Sequence, residues 1–126
     1  MWTERAGRSG ERIAEEFLAL RGLAVVERNA RVGRGEIDLV ARDGDTVVFV
    51  EVKFRRGEAY GGPLQALSAK KREDVARAAA GWLARAGLGG RPVRFDVVGL
   101  TWSADGSELR VIHVPNAWAG GRRQFY

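Results

Sequence analysis

The stretch Glu36-Ile37-Asp38-Leu39-Val40-Ala41-Arg42-Asp43-Gly44-Asp45-Thr46-Val47-Val48-Phe49-Val50-Glu51-Val52-Lys53-Phe54 decides the fold. Thr46 to Phe54 carries apolar residues at both parities, so both of its faces are covered and it reads as a central strand. Glu36 to Arg42 alternates as the strand before it. Asp43-Gly44-Asp45 between the two is a tight-turn signal, which makes the pair a β-hairpin. In the first strand Glu36 and Asp38 are expected on one face, with Ile37 and Leu39 on the other. In the second, Glu51 and Lys53 share a face, their Cα atoms about 7 Å apart. An ionisable pair inside a strand covered on both sides is the most informative local feature of the chain.

Outward from this hairpin, Gly7 to about Arg21 is an amphipathic helix, with Ile13, Phe17 and Leu20 at i, i+4 and i+7 and Gly22 as its left-handed stop. Leu23 to Arg28 reads as a short strand and Asn29 to Gly35 as a turn. Beyond the hairpin, Arg55 to Leu67 holds three glycines and Pro63 and reads as a mobile loop. Ser68 caps a second helix that reaches about Ala86 and ends at Gly87. Val93 to Leu100 and Leu109 to Val114 are strands, and 119–126 reads as a frayed tail. The order α-β-β-β-α-β-β predicts an α/β fold, a mixed β-sheet flanked by helices.

With 126 residues the chain fits one domain. A domain of this size buries roughly two-thirds of its unfolded surface and folds without staples. Cysteine is absent and His113 is the only histidine, which excludes disulfides, thiol nucleophiles and Cys/His zinc clusters. No apolar run spans a membrane and the N-terminal residues carry no apolar signal region, so a cytoplasmic protein is expected. The net charge of +5 favours polyanions, nucleic acid first. The cations divide into 18 Arg and only three Lys, at positions 53, 70 and 71. A chain that uses Arg for generic charge has a reason for each Lys.

Pairing the two hairpin strands can set Asp38 close to Glu51. Two carboxylates brought together repel unless a cation or a proton intervenes. A hard divalent ion such as Mg²⁺ or Mn²⁺ resolves this, because it takes oxygen ligands and keeps several waters. The backbone carbonyl of Val52 could add a ligand. Lys53 beside the ion could orient or deprotonate an attacking water, or neutralise charge developing on a phosphate. The bland alternative is a plain i, i+2 ion pair between Glu51 and Lys53 on a half-exposed sheet. The apolar residues around them weigh against it.

Gly35-Glu36-Ile37-Asp38-Leu39 followed by Phe49-Val50-Glu51-Val52-Lys53 resembles the GEIDL and (V/F)VEVK signatures of the bacterial YraN family. The likeness extends to Gly10–Leu18, Glu27-Arg28-Asn29, the Lys71–Leu83 helix, Arg94–Val98 and Ile112–Trp118. That family is assigned to the PD-(D/E)xK nuclease superfamily and is similar to Holliday-junction resolvases. The resemblance implies a restriction-endonuclease-like αβββαβ core, with Asp38 and Glu51 as metal ligands and Lys53 as the catalytic lysine. It also implies that Glu15, where the related resolvases place a helix-borne acid, joins the metal shell through water.

Lys71 lies near the edge of the second helix's buried stripe and is placed to contact a scissile phosphate, whereas Lys70 projects toward solvent. Arg31, Arg34, Arg55 and Arg56, read as loop residues flanking the site, are candidates for phosphate contacts. Tyr60 is a candidate for stacking on an unpaired base. His113 reads as structural, Trp82 and Trp102 as packing, and no Gly-x-Ser-x-Gly elbow or nucleotide-binding glycine fingerprint is present. The expected function is a metal-dependent nuclease acting on DNA, at branched or single-stranded sites. Symmetric cleavage of a branched substrate would call for a homodimer. The alternative is a nucleic-acid-binding module that keeps the fold without cutting, and the third reading is a scaffold with an incidental ion pair.

Overall fold

The computed structural model describes residues 4–57 and 67–118, with side chains from residue 9 onward. All seven expected elements are present in the expected order: α1 (Glu4–Leu20), β1 (Ala24–Val32), β2 (Gly35–Asp43), β3 (Thr46–Arg56), α2 (Ala69–Ala86), β4 (Val93–Trp102) and β5 (Leu109–Trp118). The five strands form one mixed sheet in the order β1-β2-β3-β4-β5. Every neighbouring pair is antiparallel except β3 and β4, which run parallel and are joined through α2. Among the described residues, no helix is long and apolar enough to cross a membrane.

The double-sided apolar pattern of β3 is used as expected. Val47 and Phe49 pack with Ile37, Val75, Ala79, Trp82 and Phe95 under α2. Val48, Val50 and Val52 pack with Ala14, Leu18, Leu39, Val98 and Leu100 under α1. Each helix therefore closes one face of a parallel-paired central strand, the arrangement such a strand requires. Phe49 lies edge-on to Trp82, ring centres 5.8 Å apart, and near-parallel to Phe95 at 5.7 Å. Both are favourable aromatic geometries.

Helix α2 has the ends its sequence announces. The Ser68 hydroxyl accepts from the Lys71 N–H at 3.1 Å, and Gly87 takes the left-handed conformation (φ 71°). Within the helix, Gly81 lets it approach β1: a Cβ there would stand 2.6 Å from Val32 Cγ1.

Several boundaries differ from expectation. Strand β1 does not end at Arg28. It runs to Val32, and the turn is reduced to Gly33-Arg34. Asn29, read as the start of a turn, stays in the strand with a left-handed backbone (φ 49°), a conformation Asn tolerates better than most residues. Strand β3 runs to Arg56, so Arg55 and Arg56 are strand residues paired with Thr101 and Trp102, not loop residues. Strands β4 and β5 are longer than expected, and Asn116 (φ 51°) marks an irregularity in their pairing between Phe95 and Val97. Residues 58–66 of the expected loop, including Tyr60, and the tail 119–126 lie outside the described residues.

Candidate metal and phosphate site

Left-handed Asn29 shapes the site. The pairs Arg28↔Leu39 and Ala30↔Ile37 place it opposite Asp38. On either side of that point the strands change faces. Arg28 reaches α1 and Leu39 packs under α1, whereas Ala30 and Ile37 pack under α2. Ile37 and Leu39 therefore do not share a face, as strict alternation predicts, because one residue in each strand interrupts the period of two. The β2–β3 ladder ends at the same level, its last pair being Leu39↔Val50.

Side chains replace the missing rungs. The Val52 N–H donates to Asp38 Oδ2 at 2.7 Å, and the Asp38 N–H points at Glu51 Oε2 at 3.4 Å. Each acid thus orders the other's strand, which brings the two carboxylates together at the mouth of a fork in the sheet. Glu51 is only 1% exposed. Burial pushes its carboxyl up to about 7, helped by the negative charge of Asp38 and opposed by Lys71. Asp38 is also raised, first by burial, against the Val52 N–H and the charges of Lys71 and Lys53.

Two of the three lysines of the chain act on this pair. Lys71 Nζ stands 3.4 Å from Glu51 Oε1. Lys53, half-buried and two residues beyond Glu51, lowers Asp38 through its charge. Lys70 pairs instead with Asp74 at 3.2 Å. As expected, Lys70 is exposed to solvent while Lys71 reaches the carboxylate face.

A further acid approaches from α1, and it is not the one expected. Glu15 is bound by the Arg28 guanidinium, with a 2.7 Å bond from Nε, and is spent on the α1–β1 contact. Its place beside Asp38 is taken by Glu11, one helical turn earlier. Burial and the charge of Asp38 raise the Glu11 carboxyl, while a hydrogen bond with the Asn29 side chain lowers it. Gly10 allows this approach, because a Cβ there would overlap the Phe54 ring. Val52 enters the site through its N–H.

Asp38 and Glu51 suit a hard divalent cation: two oxygen donors side by side, one almost fully buried. Mg²⁺ commonly takes one or two protein carboxylates and completes its shell with water and substrate oxygens. Among the described residues, no group of three or more Asp, Glu or His side chains stands ready as a metal cage. Glu11 therefore belongs to the surroundings of the pair.

The expected phosphate-binding residues divide. Arg34 and Lys71 line one cleft of about 800 Å³ between the β1–β2 turn and the start of α2, together with Glu36, Lys70, Asp74 and Arg77. Arg31 lies on β1 near Glu36 (3.9 Å), and its carbonyl accepts from Arg85. Arg55 and Arg56 lie at the end of β3, where Arg56 reaches the Ala104 carbonyl at 3.5 Å. His113 is structural as expected: Nε2 bonds Asp96 Oδ2 at 2.8 Å inside the α1 face, and Nδ1 is buried without a partner among the described residues. Trp82 packs in the core and donates to Glu27 at 2.9 Å.

Comparison with known proteins places the chain in its family. The profile of the Uncharacterised protein family UPF0102 matches residues 10–100. The UPF0102 protein STH1475 of Symbiobacterium thermophilum is 47% identical over 116 residues, covering 92% of this chain and 98% of its own. UPF0102 proteins of Anaeromyxobacter dehalogenans (45% over 117 residues; 93% and 86%) and Beutenbergia cavernae (48% over 108 residues; 86% and 91%) are similarly alike. The match takes in β2, β3 and α2, which carry Asp38, Glu51, Lys53 and Lys71, and bears out the resemblance to YraN: this chain belongs to the UPF0102 family.

Proposed function

We propose that the protein is a metal-dependent nuclease of the PD-(D/E)xK type, hydrolysing phosphodiester bonds in DNA. One observation carries this reading: Asp38 and Glu51 are cross-bonded at the end of a strand ladder, with Lys71 in contact with Glu51 and the charge of Lys53 acting on Asp38. A structural ion pair does not need two adjacent acids, one of them buried, whose mutual repulsion costs stability. A divalent cation, Mg²⁺ or Mn²⁺, held by Asp38 and Glu51 would supply a Lewis acid and lower the pKa of bound water.

The chain's own residues do the rest. Asp38 is held by the Val52 N–H, which fixes the direction of its second oxygen. Lys53 places a compact charge beside the pair, suited to orienting water or to neutralising charge that builds on a phosphate in the transition state. Arg34, Lys70 and Arg77 border the adjoining cleft, where a nucleic-acid backbone finds cations without having to enter the core. Two-fold cleavage of a branched substrate would require a homodimer, which sedimentation velocity of the full chain measures directly.

The test is cleavage of end-labelled duplex, single-stranded, flapped and four-way DNA in Mg²⁺, Mn²⁺ or chelator, with Lys53→Ala purified in parallel. Metal-dependent cuts that disappear in Lys53→Ala support the nuclease, and the preferred substrate names its class. Cutting that is equal in the mutant refutes the role of Lys53. Salt-sensitive binding with no cutting under any metal identifies a binding module, a reading that the cations of the cleft favour on their own.

A further inference from the structure

Lys71 belongs to two places at once. Its ammonium touches Glu51 at 3.4 Å, and its side chain also lines the cleft that holds Arg34, Lys70 and Arg77. The base of the residue is fixed, because its N–H is the one bonded by the Ser68 cap. The tip is not: the Lys71 side chain is 42% exposed, whereas that of Glu51 is 2% exposed.

We infer that Lys71 is an exchangeable counter-ion, neutralising Glu51 while the carboxylate pair is without a divalent cation and turning into the cleft when one binds, so that metal and phosphate ligands bind with positive coupling. This rests on the reading of Asp38 and Glu51 as a metal site. Two carboxylates carry two negative charges, so a divalent cation balances them alone and a third positive charge at Glu51 is repelled. Lys71 then has a place to go, and it adds its charge to the cleft wall that faces an incoming phosphate.

The residue type fits this exchange. An arginine would grip the buried carboxylate with a two-pronged fork and be slow to yield. A lysine makes a single-point contact on a flexible stem and is readily rehydrated on leaving. Lys71 is one of only three lysines in a chain with 21 basic residues. Lys70 provides a built-in control, since it has the same charge on the adjacent residue but pairs with Asp74.

The experiment measures Mn²⁺ affinity by titration calorimetry on the full chain, at fixed pH and ionic strength, for the wild type, Lys71→Met, Lys71→Arg and Lys70→Met. Removing the competitor is expected to tighten Mn²⁺ binding roughly five- to tenfold in Lys71→Met, the equivalent of a partly exposed ion pair. Lys70→Met stays at the wild-type value, and Lys71→Arg binds more weakly. By reciprocity, the gain in affinity for a fluorescein-labelled single-stranded oligonucleotide on replacing chelator with Ca²⁺ is larger in the wild type than in Lys71→Met.

Unchanged or weaker Mn²⁺ binding in Lys71→Met overturns the inference and leaves the metal site standing. No Mn²⁺ binding by any variant removes the metal site itself, and the inference with it. Should circular dichroism show Lys71→Met unfolded, the Lys71→Arg result decides: affinity equal to or above the wild type overturns the exchange.

Discussion

Glu51→Gln is expected to stabilise the protein while removing one of its two candidate metal ligands. In the folded chain the Glu51 carboxyl is raised from 4.5 to about 7. A raised carboxyl binds its proton more tightly folded than unfolded. Its ionisation therefore costs nothing below the unfolded value, costs progressively more as pH rises from about 4.5 to 7, and costs a constant amount above that. At about 1.4 kcal/mol per tenfold change in proton affinity, the full cost is about 3 kcal/mol, with the attraction of Lys71 already included. Glutamine has the shape of the protonated acid and no proton to lose. Urea unfolding in chelator at mildly alkaline pH should thus show Glu51→Gln more stable than the wild type by about 3 kcal/mol, a large share of a typical domain's stability. At a pH near 4.5 the difference should shrink toward zero. A mutant that is less stable at alkaline pH, or a difference that does not change with pH, would refute the claim that burial and Asp38 raise this carboxyl.

Three further outcomes follow from the packing. Gly81→Ala, which stabilises an ordinary helix by about 1 kcal/mol, should here destabilise by about 1–2 kcal/mol because its Cβ meets Val32 Cγ1. Adding Val32→Ala should restore the usual sign, and a double-mutant cycle in urea reads the coupling. Asn29→Gly should be more stable than Asn29→Ala by about 1 kcal/mol, the reverse of the usual order in a strand, because position 29 is left-handed. Equal stability would disprove the backbone role given to Asn29. Asp96 is fully buried and accepts from Arg94 at 2.9 and 3.1 Å, from the Asn116 N–H at 2.9 Å and from His113. Asp96→Asn strands buried partners and should cost about 3–5 kcal/mol in chemical denaturation; a loss below about 1 kcal/mol would mean the network reorganises freely.

How much of this could be read in advance depended on how local each cause is. The both-parity apolar pattern of Val47–Phe54 specifies a covered central strand within one segment, and Ser68 and Gly87 mark the ends of α2 by their own chemistry. Asp38, Glu51 and Lys53 were legible because a tight turn relates their strands. Asn29 was misread because the residues that favour turns are those that tolerate a left-handed backbone, and only the partner strand shows that pairing continues past it. Glu15 was singled out and Glu11 was not, for a related reason. The two acids lie one turn apart on the same helix, and periodicity cannot separate them. What separates them is tertiary: Gly10 seats the start of α1 against Phe54, and the change of face at Asn29 sends Arg28 to Glu15.

The bond from the Val52 N–H to Asp38 gives the protein a built-in reporter. Most amide protons in a sheet face carbonyl oxygens, which do not titrate. This one faces a carboxylate, so its NMR chemical shift tracks the charge on that carboxylate directly. A single amide resonance in an isotope-labelled sample can thus follow protonation of Asp38, or its engagement by a cation, in the unmutated chain. It does so whether or not any substrate has been found.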